Sequence, residues 1–499
     1  ALMPYLPIEA DNANNFLNTG LARRTITKIS FSRLFPQCDA PIDISYNKFN
    51  GVKACVDGTE LTIGEPAGVI ANPQNSKYLF HHIGYDNTDA SQFDFSYFNA
   101  SKTKNMSYIF YYANLPAGFT MPDGFGLSAL DLQYAFYSIK GRGDIILPAG
   151  FGGLATNMYN MFAFTGAGTQ APYLLDNIYF PEGFGAEVTD IGSMFEYVWM
   201  NGSVILPSGF ANKAIYLRSS FALSKLNKLI LPKGFGENIV DYWNMSEIFD
   251  NATINNLHIS DGFVRNCDGL DCSDLFGEVI ANNSFYLPDD FAANATNMRN
   301  MFSEAILPDG FSLPKNFAKD AVIPSYGMPL FQRAEFLGTV NISDGVLANQ
   351  TNLYNIFSGA TFDAGLTIPD NFAPNATSLQ YMFGNARFLG PLTIGSGFGQ
   401  NATDVSSLFS NAEFSSGVEL PAGLGQAATN MDYMFSGVRL SGDIDWSGTD
   451  LTASAATKAN MFNNTTWNGY FMLAQNQTSV DWLIDGTGAD ATNVKVKGS

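Results

Sequence analysis

Apolar and polar positions alternate along this chain to a ruler. In Asn297-Met298-Arg299-Asn300-Met301-Phe302 the apolar residues are the second, fifth and sixth, and the closing Phe recurs down the sequence. Its equivalents are Phe110, Phe136, Phe162, Phe195, Phe221, Phe249, Phe276, Phe302, Phe331, Phe357, Phe383, Phe409, Phe435 and Phe462. Of the thirteen gaps between them eight are 26 residues, and the single gap of 33 marks an insertion within Ala163–Gly183. Five residues before most markers stands a capping type, among them Asn105, Asp131, Asn157, Asp190, Asn244, Asp271, Asn352, Ser378, Asp404 and Asn430. Such side chains accept from the free N–H groups of a first helical turn. Apolar residues one, four and five positions later occupy one helix face. The pattern therefore predicts a capped turn or two of helix in every repeat.

About twelve residues after the marker a second pattern appears, written Ile145-Ile146-Leu147-Pro148-Ala149-Gly150-Phe151 and repeated at 204–210, 229–235, 285–291, 366–372 and 418–424. The apolar run reads as a short strand, and the Pro, which cannot donate to a ladder, ends it. One helical turn and one strand cannot bury their apolar faces alone, but stacked copies can. The expectation is an LRR-like repeat solenoid with one short strand and one short helical turn per repeat of 26 residues. The chain then divides into three regions: a β-rich N-terminal cap over 1–80, a solenoid of about fourteen repeats over 81–462, and a C-terminal cap over 463–499. Within the first, residues 51–56 and 59–63 flank the turn-prone Asp57-Gly58 and read as a hairpin.

The 42 Phe are accounted for as interior ladders of such a stack. Apolar residues form 46% of the chain but charged residues only 14%, well below the usual ~25%, so the surface is largely neutral and polar. With 46 acidic and 26 basic side chains the net charge is −20, and Lys and Arg are not clustered. That excludes a nucleic-acid phosphate cleft. Three His (His81, His82 and His258) and four Cys leave little material for metal or acid–base chemistry. No apolar run approaches a membrane span. The start Ala1-Leu2-Met3-Pro4 lacks a signal peptide and an initiator Met, and reads as a mature, processed chain.

The run from Asn294 to Phe302, with Thr156–Phe162, Thr429–Phe435 and the Trp-containing Asp443–Trp446 leading into Ala459–Phe462, resembles the BspA-type leucine-rich-repeat surface proteins, including the repeat first recognised in mycoplasma lipoproteins. The resemblance spans roughly residues 100–465. It implies an LRR-like solenoid on a microbial cell surface, in adhesion or host contact, and brings no catalytic residues. This chain departs from that family in most spacers, where Leu-Pro-x-Gly-Phe replaces the Trp-Asp type, and it shows no lipobox Cys or sorting signal.

Several short patterns are candidate sites. Arg142-Gly143-Asp144 spells the integrin tripeptide in the expected loop before a strand, although Ser441-Gly442-Asp443 repeats its Gly-Asp without the Arg. Fourteen Asn-x-Ser/Thr sequons occur, with Asn294, Asn375 and Asn401 the leading candidates for glycosylation, but the repeat itself generates Asn-Ala-Thr. Cys38 with Cys55 and Cys267 with Cys272 are the favoured of three pairings, and Cys272 also fits as a buried thiol. Asp289 and Asp290 are weak Ca²⁺ candidates; no other cofactor is expected. Gly423-Leu424-Gly425 imitates a dinucleotide loop but is the repeat's own turn. Three functions are compatible with the chain: a surface solenoid binding a host or neighbouring-cell protein or glycan, a self-assembling subunit of a filament or surface layer using Ala1–Thr19 and Val494–Lys497, and, least favoured, an enzyme. The expected location is extracellular, at the cell surface.

Overall fold

The computed structural model describes residues 19–45, 51–71, 74–166, 175–239, 245–263, 272–289, 291–292, 295, 297–321, 329–451 and 456–498. It is a parallel β-solenoid of about 14 turns with very little helix. The chain divides into two compact units, Ala1–Ile239 with Trp243–Ile254, and Val240–Tyr242 with Asn255–Ser499.

The first unit opens with a mixed sheet. Lys53–Asp57 and Glu60–Gly64 form an antiparallel hairpin, and Lys28–Ser32 pairs in parallel with both Glu60–Gly64 and Gln92–Asp94. The coils come next. Phe119–Thr120, Gly143–Ile146, Leu175–Tyr179, Ser203–Ile205 and Lys225–Leu231 pair in sequence order, all parallel. Because side chains alternate across a strand, one row points in, with Ile145, Ile178, Val204 and Leu229 buried in register. In the second unit each coil meets the next along three lines. One runs through Glu335–Phe336, Thr361–Phe362, Arg387–Phe388 and Glu413–Phe414, another pairs Leu366–Ile368 with Leu392–Ile394, and the third links Asn352, Ser378, Asp404 and Asn430 by single bridges.

The predicted helical turns are not helices. Among the described residues the one α-helix is Gln477–Ile484, and Arg23–Thr25 is a single 3-10 turn. Where helix was expected, the backbone swings into the left-handed region two residues before and two after the marker Phe, as at Tyr381 (φ 56°) and Asn385 (φ 59°) around Phe383. Successive i→i+3 bonds, Met382 N–H to Leu379 O, Gly384 to Tyr381 and Ala386 to Phe383, consume every second N–H. The others point out of the coil: Leu379, Tyr381, Phe383 and Asn385 donate to Asp404, Ser406, Leu408 and Ser410 of the next coil at 2.7–3.1 Å. A helix would spend its N–H groups internally and leave the coils unlinked. The left-handed residues cost roughly 1–2 kcal/mol each, and the inter-coil ladder offsets it.

The helical periodicity misled because both geometries bury the same positions: Leu379, Met382 and Phe383 are fully enclosed. The capping residues are real but cap a turn, as Asx turns do. Asn105, Asp131, Asn157, Asn352 and Asp404 each accept from the N–H two residues on, at 3.0–3.1 Å. A solvent-exposed left-handed position separates the two geometries. At Asn411 (φ 57°), Gly is expected to match or exceed Asn in stability and Val to cost about 1–2 kcal/mol, whereas a helix interior ranks Gly below Val. Denaturant unfolding of the two variants reads the order directly.

Between the coils lie the Phe ladders. In the first unit the marker rings from Phe80 to Phe249 stack at 5.1–5.5 Å. In the second, those from Phe276 to Phe462 stack at 5.0–5.6 Å. Each end is closed by its own chain. Arg23, fully buried, donates to Leu79 O (2.8 Å) and Tyr78 O (3.3 Å) on the first coil. At the other end Phe462 N–H, which would seek a further coil, donates to Thr487 O (2.9 Å) just beyond the helix, whose N-cap is Asn476.

Candidate functional site

On the coils of Phe80, Phe110 and Phe136 two offsets from the marker carry half-buried aromatic side chains, and a third does so on most coils from Phe80 to Phe195. Two residues before it stand Tyr78, Tyr108 and Tyr134; one residue after it His81, Tyr111 and Tyr137; two after it His82, Tyr112, Phe164 and Tyr197. Since each coil repeats the last at about 4.8 Å, equal offsets stack. Tyr78, Tyr108 and Tyr134 lie 4.6 Å apart in turn, Tyr111 and Tyr137 5.1 Å, His82 and Tyr112 5.2 Å, and Phe164 and Tyr197 5.2 Å. The left-handed turns hold these side chains off the core, so the Tyr rings are half-buried and present edges and hydroxyls to solvent. Lys77 Nζ lies 5.1 and 4.9 Å from the centres of Tyr78 and Tyr108, and Lys140 Nζ 4.0 Å from that of Tyr85, as cation–π pairs do. Beyond Tyr134 the two-before offset carries mostly small or polar residues, Asn160, Ser193, Ser219 and Glu247 in the first unit and Asn300, Asn355 and Ser407 in the second.

Burial, and after it the neighbouring hydroxyls, pushes the phenols of Tyr134 and Tyr137 up to about 12, and Tyr111 higher still; burial and Tyr78 do the same to Tyr108, again to about 12. The face is thus uncharged in its Tyr groups at any physiological pH and offers O–H donors and acceptors together. Native phenol pKa values above the ordinary ~10 mean that this contribution to stability is intact below pH ~10 and is lost as pH rises towards 12. Phenolate absorbance of the native chain is expected to show a Tyr class titrating near 12, collapsing to near 10 on denaturation.

The sequence candidates fall elsewhere. Gly143 and Asp144 belong to the strand Gly143–Ile146 rather than to a loop before it, and Asp144 Oδ1 accepts from both the backbone N–H (3.0 Å) and the side-chain amide (2.9 Å) of Asn177 on the next coil. Arg142 is exposed beside a small pocket shared with Asp89 and Asn114. Cys38 and Cys55 are joined by a disulfide with a Cα–Cα distance of 5.9 Å. Cys272 is buried, while Cys267 lies outside the described residues, as do Asn294 and Asp290. The exposed Asn375 and Asn401 donate their amides to Ala348 O (2.9 Å) and Pro374 O (3.0 Å) of preceding coils.

Gly425 has no room for a phosphate: a Cβ there would sit 2.9 Å from Met431 Cε and 3.1 Å from the buried Trp446. His81 packs edge-on to His82, and His258 stacks on Tyr286 at 4.6 Å. Among the described residues no three His, Cys, Asp or Glu side chains group to hold a metal ion, and no helix is long and apolar enough to cross a membrane.

Sequence reasoning missed the tyrosine face because it assigned the aromatics to the core through the Phe ladders. The signal was present: Tyr108 and Tyr134, like Tyr111 and Tyr137, keep the spacing of 26 at offsets that carry polar residues in later repeats. No family model matches the chain, and neither the curated proteins nor the solved structures contain a significant match.

Proposed function

We propose that this chain is an extracellular, non-catalytic solenoid that binds a partner at a cell surface, a host or neighbouring-cell protein or glycan, and that the tyrosine face of its first unit is the binding surface. One observation carries the reading. An unbroken run of outward aromatic positions, from Tyr78 to Tyr134 at 4.6 Å spacing, is held off the core by the turns and kept half-exposed. Tyr supplies large contact area with few rotatable bonds and a polar tip, the combination enriched at interfaces. The Cys38–Cys55 disulfide supports an oxidising compartment. Kinship with the BspA-type surface proteins, proposed from the repeat motif, supports the same location.

A second reading, lateral self-association into a surface layer, is favoured by a different feature. On the parallel sheet of the first unit Ile146, Tyr179 and Ile205 form an outward row, 45–50% exposed. End-to-end growth through the last marker is disfavoured, because Phe462 N–H already donates to Thr487 O. Light scattering across a concentration series, together with a binding screen against immobilised matrix proteins and glycans, separates the two. A monodisperse chain retained on one surface supports the first reading; ordered sheets that bind nothing overturn it.

A further inference from the structure

The two-before tyrosine ladder ends at Tyr134, because Asn160 holds that offset on the next coil, and a groove opens beyond Tyr159. Tyr134 and Tyr159 meet at 76° instead of stacking, and the Tyr159 ring lies over Gly192, where a Cβ would come within 3.2 Å of its Cδ2. Other repeats carry a side chain at that offset, three residues before the marker, as at Gln133, Tyr159 and Arg218 in the same unit. Two coils on, Tyr216 occupies the position that Asn or Asp holds elsewhere, is 46% exposed, and has neither a ring partner nor a hydroxyl partner among the described residues. The space bounded by Tyr159, Gly192, Ser193, Glu196, Tyr216 and Glu247 is a groove of about 600 Å³.

Its polar lining holds the carboxylates of Asp190, Glu196 and Glu247, the hydroxyls of Ser193 and Ser219, and the guanidinium of Arg218. The Glu196 carboxylate has no hydrogen-bond or ion-pair partner among the described residues. Asp190 accepts Gly192 N–H (2.9 Å) on one oxygen, and burial, ahead of that bond, holds its carboxyl above the usual range. Glu247 pairs with Arg218 at 3.4 Å and accepts from Ser219 at 3.3 Å. Three carboxylates stand against one guanidinium.

We infer that this groove is a subsite for one ring of a neutral sugar, seated between Tyr159, whose ring packs over Gly192, and Tyr216. The inference rests on the binding-surface reading above and narrows it to a ligand class. Two coil spacings, about 10 Å, separate the coils that carry the two aromatic residues, and the groove between them has room for one pyranose ring beside the Tyr159 ring. The C–H faces of such a ring pack against aromatic surface. Its hydroxyl hydrogens donate to the carboxylates, which as ions only accept. A sulfated or carboxylated sugar would instead set its charge against Glu196, Asp190 and Glu247, and like charges at close range are disfavoured.

The test uses the full chain and saturation-transfer NMR with neutral chito-, cello- and malto-oligosaccharides, and with heparin and hyaluronan oligosaccharides as acidic counterparts. Wild type is expected to bind at least one neutral series and neither acidic one. Tyr216→Asn restores the residue type of the other repeats and should fold normally; Gly192→Gln, the residue at that offset in other coils, displaces the Tyr159 ring from its seat over Gly192. Each is expected to weaken the neutral sugar at least tenfold, while Tyr381→Asn, outside the first unit, changes nothing. Equal binding by both variants, binding of the acidic series in preference, or no binding of any neutral sugar by wild type overturns the subsite. Retention on a matrix protein that Tyr108→Ser and Tyr134→Ser abolish would, in those cases, leave the wider binding-surface reading standing.

Discussion

Phe195→Ala is expected to destabilise the first unit by about 3–5 kcal/mol, near the top of the range for a buried aromatic. Phe195 is fully enclosed and lies parallel to Phe162 at 5.5 Å and to Phe221 at 5.2 Å, both at 6°. Removing its ring leaves a slot that the coils cannot close. Phe195 N–H is tied to Ser220 O at 2.8 Å, and Met194 O is tied to Phe162 N–H at 2.9 Å. These bonds hold the coil spacing that the ring filled, so the cavity term stays large. Phe195→Leu, which refills most of the slot, should cost much less. Denaturant midpoints of the two variants give the comparison, and a loss below about 1 kcal/mol for Ala would mean that the ladder does not carry the core.

Arg23→Met is expected to cost about 2–3 kcal/mol, the scale of a lost charge-assisted hydrogen bond to a buried acceptor. Around the marker Phe the inter-coil bonds run from N–H on one coil to C=O on the next, as from Phe80 to Ile109 and from Phe110 to Ala135, so the marker segment of the first coil has carbonyls with no preceding coil to serve them. Arg23 serves Leu79 O and Tyr78 O from a fully buried position. Met keeps the stem but leaves Leu79 O without its donor. Removing a buried charge also recovers desolvation energy, which is why the expected loss is moderate. The accompanying sign is a rise in concentration-dependent aggregation, since the opened end exposes coil backbone. A variant as stable and as soluble as the parent would contradict the capping role.

Much of this fold was legible because one spacing governs the whole chain. The Phe markers fixed the coil length, and the rings at Phe276, Phe302 and Phe331 do stack in that order. The Pro-terminated apolar runs located strands such as Ser203–Ile205 and Leu366–Ile368. Local conformation was not legible. A residue such as Tyr381 has no intrinsic preference for φ 56°, and only the next coil's Ser406 O, waiting for its N–H, selects that geometry. The tripeptide at Arg142 looked like a loop because it precedes the apolar run Ile145–Leu147, yet pairing with Leu175–Tyr179 draws Gly143 and Asp144 into the sheet. The tyrosine face needed both the ruler and knowledge of which offsets point outward, and the second came from the turn geometry.

The binding role of that face is the central claim, and a paired comparison of variants tests it most directly. The intact chain, a Tyr108→Ser/Tyr134→Ser/Tyr137→Ser variant and a control Tyr381→Ser/Tyr433→Ser variant would be applied to one array of immobilised matrix proteins and neutral glycans, after unfolding curves confirm that all three are folded. The account predicts that wild type and control are retained alike and that the triple variant loses at least tenfold. Equal retention of all three would contradict it.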